Sequence, residues 1–315
     1  MSGFSTDSNE HLIRSNLWSS QIKEVLEDEL FAMKYVDMIS DFPDGDTINI
    51  PSIGQQEVLD YDEGQAIRYT AMDTGNFTFS INKYKSSGTY ITNKMKQDSF
   101  YMSRLVSSFV PKQHRAIMKS MEVDLLAIGN SGQTASGLNA INTAPHRWVT
   151  AGAAQIMTVA DFAKARYSLQ KANVPMVDLV AIVDPSVEYQ LSTAANLTNI
   201  SNNPRWEGIV RDGMSSGMRF FMNIYGFDCY VSQNLPSAIS ETVNSIAVTN
   251  GVSNYMFSAA RDVLPFVGSV RQAPKVDSDY NQDLQREEYV TTSRYGFKLF
   301  RPENLVTVLT DASAV

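Results

Sequence analysis

The sequence has little cysteine: Cys229 is the only one in 315 residues. A single thiol excludes an intrachain disulfide framework and a zinc site built from cysteines. The chain also lacks an apolar run near the roughly 18 to 20 residues that a membrane span needs. Its first residues lack the basic and then apolar pattern of a signal peptide. We therefore expect a protein that has no membrane partner and is made and kept in a reducing cytosol.

Histidine is scarce as well, and the sequence places no second metal ligand beside His11, His114 or His146. Isolated histidines favour packing or solvent-facing roles over metal binding. The sequence also lacks the glycine-rich patterns that bind phosphate groups or dinucleotides. We expect no metal, no cofactor and no catalytic residue.

Two serine patterns match hydrolase motifs only in part. Ser215 lies in a G-x-S-x-G stretch at 213–217, but that chemistry requires a later histidine, and the last one is His146. Ser168 and Lys171 fit S-x-x-K, yet the partner tripeptides are absent and both residues fall in a predicted helix. A cytosolic serine hydrolase built on Ser215 therefore stays only as an alternative.

The acidic stretch 277–288 has oxygen donors at positions 1, 3, 5 and 12 of a calcium loop. Gln282 stands where such a loop needs glycine for its sharp turn. The composition favours a solvated acidic loop and leaves cation binding open.

The formal net charge of −8 argues against a protein that clamps nucleic acid, since such proteins neutralise phosphates with basic residues. Residues 94–126 run against this trend with six basic and three acidic residues. A solvated helix surface explains this stretch best, and weak contact with a polyanion is the alternative.

The amino-terminal third predicts a helix followed by an extended excursion. Apolar residues repeat at helical steps over residues 16–34, with an acidic cluster on the opposite side, and a turn follows at 42–45. Apolar and polar residues alternate as in strands over 45–51, 76–81 and 87–92. The polar stretch at 57–73, between the first two of these, suits an exposed hairpin tip. Because a two-stranded excursion cannot bury both faces within one subunit, it needs neighbours.

The remaining chain predicts helices and then alternating helices and strands. Pro111 divides the next helical region into a shorter helix ending near Phe109 and a longer one that stops at 129–132. Thr158 and Asp161 resemble a capping box that opens a helix ending near Ala172. The segments that follow are a buried strand at 179–183, a short helix after Asp184, a polar loop at 196–204, strands at 218–232, 245–249, 296–300 and 304–310, and an irregular charged stretch at 272–288.

The order of these pieces resembles the major capsid proteins of tailed double-stranded-DNA phages, which have the Hong Kong 97-type fold. The resemblance covers nearly the whole chain. It rests on the order and spacing of five segments: GDTINIP at 45–51, EVDLL at 122–126, ANVP at 172–175, VAIVDP at 180–185 and YGFKLFRP at 295–302.

The resemblance implies an α+β fold with an amino-terminal arm (1–42) and an extended β-hairpin loop (43–95). It further implies a peripheral domain with a long spine helix (96–150 and 270–315) and an axial α/β domain (151–269). Some members weld subunits through an isopeptide bond from a loop lysine. Since residues 55–82 contain no lysine, we expect no such bond here.

The function that the resemblance implies is self-assembly into an icosahedral head shell around phage DNA. The expected partners are copies of the chain in hexamers and pentamers, scaffolding, portal and decoration proteins, and DNA held through weak non-specific contacts. The expected location is the virion, after synthesis in the host cytoplasm. An encapsulin-like compartment is the alternative within the same fold. The candidate inter-subunit contacts are Trp18, Glu27, Glu29, Asp60, Asp62, Glu63 and Arg68.

Overall fold

The computed structural model describes residues 30–40, 45, 47–53, 60, 63–64, 66, 74–98, 102–132, 139–193 and 220–313. In chain order the elements are β1 (Val36–Met38), β2 (Thr47–Ile53), β3 (Thr74–Ser80), β4 (Lys83–Thr92), α1 (Asn93–Asp98), α2 (Met102–Gly132), β5 (Ala140–Ile141), β6 (Ala144–Pro145), β7 (Arg147–Val149), α3 (Val159–Lys171), β8 (Leu179–Val183), α4 (Pro185–Thr193), β9 (Phe220–Ile224), β10 (Phe227–Val231), β11 (Ser237–Val243), β12 (Ile246–Ser258), β13 (Phe266–Asn281), β14 (Arg286–Leu299) and β15 (Val306–Asp311).

The larger sheet of the described chain, called the large sheet below, has the order β7-β15-β12-β8-β10-β9, with β11 paired to β12. β8 and β10 run parallel, and β12 runs antiparallel to β8. All five residues of β8 are buried, as the continuous apolar run at 179–183 predicts. Ala181 and Val183 pack with α3 and α4 on one face, and Val180 and Ile182 pack toward α2 on the other. The core therefore lies on both faces of this sheet.

Helix α2 contradicts the predicted division at Pro111, because it continues through that residue from Met102 to Gly132. At 1.5 Å per residue, its 31 residues span about 46 Å. Ile117, Met121 and Leu125 form the predicted apolar stripe and are buried. Both sheets hold the helix, since Tyr255 donates to the Leu126 carbonyl at 2.7 Å and Tyr295 to the Asp124 carboxylate at 2.7 Å. Nearer the proline, Gln113 is buried and its Oε1 accepts from the Thr291 hydroxyl of β14 at 3.2 Å, so packing against the body holds the helix within one turn of Pro111.

The helix ends at Gly132, within the stretch 129–132 that predicts its end, so Gly129 still lies inside the helix. A Cβ at this position would lie 2.8 Å from the ring of Tyr255. The glycine therefore serves the close approach of helix and sheet rather than a helix stop.

Replacing Pro111 with alanine should stabilise the protein. Pro111 is exposed, so alanine removes little packing while restoring a backbone donor that the helix interior lacks. We expect the free energy of unfolding to rise by about 1 to 3 kcal/mol in urea denaturation of the unassembled subunit. The matched control is Ala116→Pro, five residues later at an exposed position. This change should lower the free energy of unfolding by about 3 kcal/mol. Unchanged or reduced stability in Pro111→Ala would contradict this interpretation.

The second sheet, called the small sheet below, has the order β1-β13-β14-β4. Here the prediction of an irregular stretch at 272–288 is wrong: the β13–β14 pairing runs from Phe266↔Leu299 to Asn281↔Arg286. The distal strands are polar, with β13 largely exposed and β14 partly buried, so alternation of apolar residues could not reveal them. The third strand is β4, and every residue of β4 pairs with a residue of β14.

Three further predictions need correction. The described end of the predicted first helix is a short 3₁₀ turn, Ala32–Tyr35, followed by β1, which pairs in parallel with β13. Residues 218–232 contain the hairpin β9–β10 rather than one strand, and residues 245–249 belong mostly to the long strand β12. The β1 strand depends on β13, a partner distant in sequence, whereas β9 and β10 pair across a tight turn. None of the described helices is long and apolar enough to cross a membrane.

Candidate assembly surface

The hairpin β2–β3 has one apolar face and one polar face. Its register pairs Ile48 with Phe79 and Ile50 with Phe77, which places these four side chains on the same face. On the opposite face, the Thr78 hydroxyl donates to Asn49 Oδ1 at 2.9 Å. The alternating stretches at 45–51 and 76–81 thus form the predicted hairpin.

The base of the hairpin is fixed to the body of the protein. Phe79 is fully buried with Val267, and the ring of Phe77 meets Phe300 edge-on at a centroid distance of 4.9 Å. Lys298 Nζ donates to the Thr78 carbonyl at 2.6 Å and lies 4.7 Å from the centre of the Phe77 ring. This anchor holds the direction in which the hairpin leaves the subunit.

Gly296 allows the backbone at the end of β3 to cross β14 closely. A Cβ on Gly296 would lie 2.6 Å from the Ser80 carbonyl oxygen and 2.9 Å from Ile81 Cα. Both contacts are to backbone, which cannot move aside as a side chain can. A larger residue at 296 would push the hairpin base away from the small sheet.

Away from its base the hairpin is open. Within the described residues neither β2 nor β3 pairs with a third strand, so both outer edges present backbone donors and acceptors. Ile48 and Ile50 are only half-buried, and Ser52 and Gly75 further along the same face are exposed. A neighbouring chain can complete both the ladder and the apolar contact.

A second attachment fixes the chain just after the amino-terminal segment. The buried carboxylate of Glu122 accepts from the Ala32 backbone N–H at 3.1 Å and from Asn234 Nδ2 at 3.3 Å. Phe31 packs against Tyr230 at a centroid distance of 5.7 Å. Phe31 and Ala32 therefore lie on the α2 side of the large sheet.

The edge strand β4 of the small sheet exposes aromatic side chains. Tyr84 and Tyr90 on β4 are 63% and 58% exposed, and the Arg286 guanidinium lies 4.6 Å from the centre of the Tyr90 ring. On the other face of this sheet, Lys96 pairs with Glu287 and holds α1 against β14. The edge of β4, which pairs with no further strand among the described residues, and these tyrosines form a second surface of interface character.

The residues that could have carried chemistry are occupied or outside the described chain. Ser168 is buried and its hydroxyl lies 2.5 Å from the Pro145 carbonyl oxygen, while Lys171 is exposed. Ser215 and its glycine-rich stretch lie outside the described residues. The buried thiol of Cys229 has a pKa raised by desolvation, which makes it unreactive.

The described residues contain no cluster of histidine, cysteine or carboxylate side chains suited to a metal ion. His146 is buried beside the Ala144 carbonyl, and burial lowers its pKa, so it is a neutral packing residue. The calcium-like stretch 277–288 is part of the β13–β14 hairpin, where Asp277 pairs with Lys275 at 2.7 Å and Asn281 caps the turn. It has no calcium-loop conformation.

Among the predicted contact residues, the structure places only Asp60 and Glu63, and both are exposed. The remaining five (Trp18, Glu27, Glu29, Asp62 and Arg68) lie outside the described residues.

An open hairpin anchored at its base is the geometry of a subunit made for assembly, and sequence comparison agrees. The sequence pattern of the phage capsid protein family matches residues 76–308. The chain belongs to the phage capsid protein family. It is a structural major capsid protein that assembles with its own copies into the shell of the virion. Neither the encapsulin-like compartment nor the serine hydrolase is favoured.

Solved structures show that the fold of this capsid protein is shared. A chain from Mycobacterium phage Che8 matches with a TM-score of 0.69 at 18% identity, covering 94% of this chain and 97% of that one. The capsid structure of Cyanophage P-SCSP1u matches with a TM-score of 0.68 at 15% identity, covering 95% of this chain and 93% of that one. The capsid asymmetric unit of Cyanophage Pam1 matches with a TM-score of 0.65 at 12% identity, covering the whole of both chains. No protein with a curated description matches significantly. The mixed α+β architecture is therefore that of phage capsid chains.

Sequence reasoning missed the residues of this capsid protein that hold the hairpin. Lys298 and Phe300 do so directly, and Arg271 Nη1 donates to the Gly45 carbonyl. Two of the three lie in the YGFKLFRP stretch at 295–302, which served only as a mark of the family. Their role depends on contacts across more than 200 positions of sequence, which no local pattern encodes.

Proposed function

We propose that this capsid protein closes into the icosahedral head shell of a tailed phage, in hexamers and pentamers around double-stranded DNA. The observation that supports this function most directly is the β2–β3 hairpin. It is anchored at Phe79, but within the described chain its edges are unpaired and its apolar face is only half covered. Each copy lays this loop on a neighbour, and many such contacts add up over a closed lattice. The arm, with Trp18, Glu27 and Glu29, makes further contacts between subunits, as do Asp62 and Arg68 of the loop.

We also propose the domain division of the Hong Kong 97-type fold, with arm 1–42 and loop 43–95. In this division α2 is the spine helix of the peripheral domain (96–150 and 270–315), and residues 151–269 form the axial domain. One revision follows from the sheet order. Because β7 and β15 pair with each other and β15 pairs with β12, we assign both strands to the axial domain.

The shell has weak, non-specific contact with the DNA that it encloses, since a net charge of −8 limits attraction to phosphate. Scaffolding, portal and decoration proteins are proposed as further partners. The chain is made in the host cytoplasm and has no catalytic activity of its own.

Electron microscopy and light scattering of the expressed protein test this function. We expect closed shells of uniform diameter, and nuclease-resistant DNA in particles from infected cells. A monomer at assembly concentrations, or open aggregates without a fixed diameter, would contradict the proposal. Shells that contain an enzyme cargo and no DNA would favour the encapsulin-like compartment.

Intact particles should dissociate into single chains under denaturing conditions. The loop residues 55–82 contain no lysine, so they cannot supply the amine of an isopeptide bond. Denaturing gels of purified particles should show one band at 35.0 kDa. A ladder of covalently linked subunits that persists under reducing conditions would overturn this prediction.

A further inference from the structure

The charges of this capsid protein are separated along the chain. Residues 1–73 contain 15 of the 34 acidic residues but only four of the 26 basic ones, a net charge of −11. The remaining 242 residues therefore carry +3. Within the extended loop, residues 43–73 contain seven acidic residues and one basic residue, Arg68. A basic surface on another copy would complement the charge of these residues.

The solvent-facing side of α3 is such a surface. Lys164, Tyr167 and Lys171 follow one another at steps of three and four residues, which places them on one side of the helix. The opposite side, with Phe162 and Leu169, is buried in the core.

Tyr225 enlarges this surface at the β9–β10 turn. Arg166 Nη1 donates to the Tyr225 carbonyl at 2.6 Å and holds the turn beside the helix. Tyr167 is 52% exposed and Tyr225 51% exposed. We call Lys164, Arg166, Tyr167, Lys171 and Tyr225 the α3 face.

The positive charge of the α3 face is balanced only in part within the described chain, by the attraction between Lys164 and the Asp161 carboxylate. The acidic residue of α3 itself, Asp161, is buried and bound to Trp148, Thr150 and Thr158. Lys164 lies 4.4 Å from the centre of the Trp148 ring, and its pKa is lowered by burial. Neither Lys164 nor Lys171 forms an ion pair with a described residue.

We propose that the acidic loop tip around Asp60 and Glu63 of one copy docks on the α3 face of a second copy. This rests on the proposed function, in which the loop lies on a neighbour. Exposed tyrosines beside an arginine are typical of protein interfaces, which favours a polypeptide over DNA as the occupant. The arm is a poorer occupant because its body end is held at Ala32, on the α2 side of the large sheet, whereas α3 packs on the other side.

Cross-linking of mixed particles tests the docking directly. Because Cys229 is buried, engineered thiols are the reactive ones. Asp60→Cys and Lys171→Cys, placed on separate chains that assemble together, should give a disulfide-linked dimer on non-reducing gels. The control pairs Asp60→Cys with Arg261→Cys, an exposed position on the 3₁₀ turn Arg261–Val263 that is not part of the α3 face, and should give none.

Charge reversal supplies a second readout. Lys164→Glu with Lys171→Glu should lower the yield of shells roughly tenfold, because like charges then face each other at every copy of the contact. Mixing this variant with an Asp60→Lys, Glu63→Lys chain should restore the yield. The control, Lys94→Glu with Lys112→Glu, changes the net charge equally at other helices and should leave the yield near that of the unmodified protein.

The outcomes separate the docking from the proposed function. Shells in normal yield from the reversed variant, with no dimer in the cysteine pair, would overturn the docking and leave the shell function intact. A change in the DNA retained by the shells, without a dimer, would assign the α3 face to phosphate and also overturn the docking. Failure of the unmodified chain to form shells would overturn both.

Discussion

Replacement of Asp161 by alanine should lower the free energy of unfolding by about 3 to 5 kcal/mol. The buried carboxylate accepts from Trp148 Nε1 at 3.1 Å through one oxygen. The other oxygen accepts from the Thr158 backbone N–H at 3.0 Å and lies 2.6 Å from the hydroxyls of Thr158 and Thr150. Alanine removes the helix cap and takes the acceptor from the buried Trp148 N–H and from the partly buried Thr158 N–H, while the Thr150 hydroxyl keeps the Ile156 carbonyl as an acceptor. Each such donor costs about 1 to 3 kcal/mol, and the losses are not additive.

Urea denaturation of the unassembled subunit, followed by tryptophan fluorescence and circular dichroism, measures this loss. Asp161→Asn keeps one acceptor oxygen, so its free energy of unfolding should lie between those of the unmodified protein and of Asp161→Ala. Asp283→Ala, at the exposed tip of the β13–β14 hairpin, is the matched surface control and should change stability by less than about 0.5 kcal/mol. A loss below about 1 kcal/mol in Asp161→Ala would mean that this network does not hold the α/β region together.

Replacement of Phe79 by alanine should detach the loop and prevent shell formation. The side chain is fully buried between the hairpin base and Val267, so its truncation costs about 3 to 5 kcal/mol. Because the loss falls at the anchor of the hairpin, the loop can no longer reach a neighbour in a fixed direction. We expect shells to be absent even where folded subunits remain.

Two controls separate loss of the anchor from general unfolding. Phe79→Leu keeps most of the volume and should cost less than about 1.5 kcal/mol and retain shells. Asn76→Ala changes an exposed position of the same strand and should have little effect. Shells are scored by sedimentation and electron microscopy, and the fold by circular dichroism. Normal shells from Phe79→Ala would show that assembly does not depend on this anchor.

Sequence patterns predicted the elements whose structure depends on near neighbours. The Thr158–Asp161 capping box and the apolar run of β8 form as expected, because a cap lies within one helical turn and a fully buried strand is apolar throughout. The hairpin at 45–51 and 76–81 is also confirmed, since alternating side chains mark its two faces.

The elements that depend on distant partners were missed. The parts of β13 and β14 near their connecting turn are polar. Backbone pairing of β13 with β14 and of β14 with β4 holds them in place, so they do not need an apolar pattern. Pro111 suggested a helix boundary, yet contacts of α2 with Tyr255 and Tyr295 keep the helix continuous. A pattern within one segment carries no information about such partners.

The candidate surface was predicted only in outline. The need of the loop for a neighbour followed from its polar, two-stranded pattern, whereas Lys298 and Phe300 became visible only when the fold placed them against Thr78 and Phe77. The basic side of α3 was not recognised either, because its spacing matters only once the opposite side of the helix is known to be buried.

A cryo-electron microscopy reconstruction of the assembled particle would show whether the hairpin joins neighbouring subunits. We predict a closed shell in which each β2–β3 hairpin, anchored at Phe79 and Phe300, leaves its own subunit and contacts the adjacent one. Particles in which the hairpin folds back on its own subunit and touches no neighbour would contradict the account.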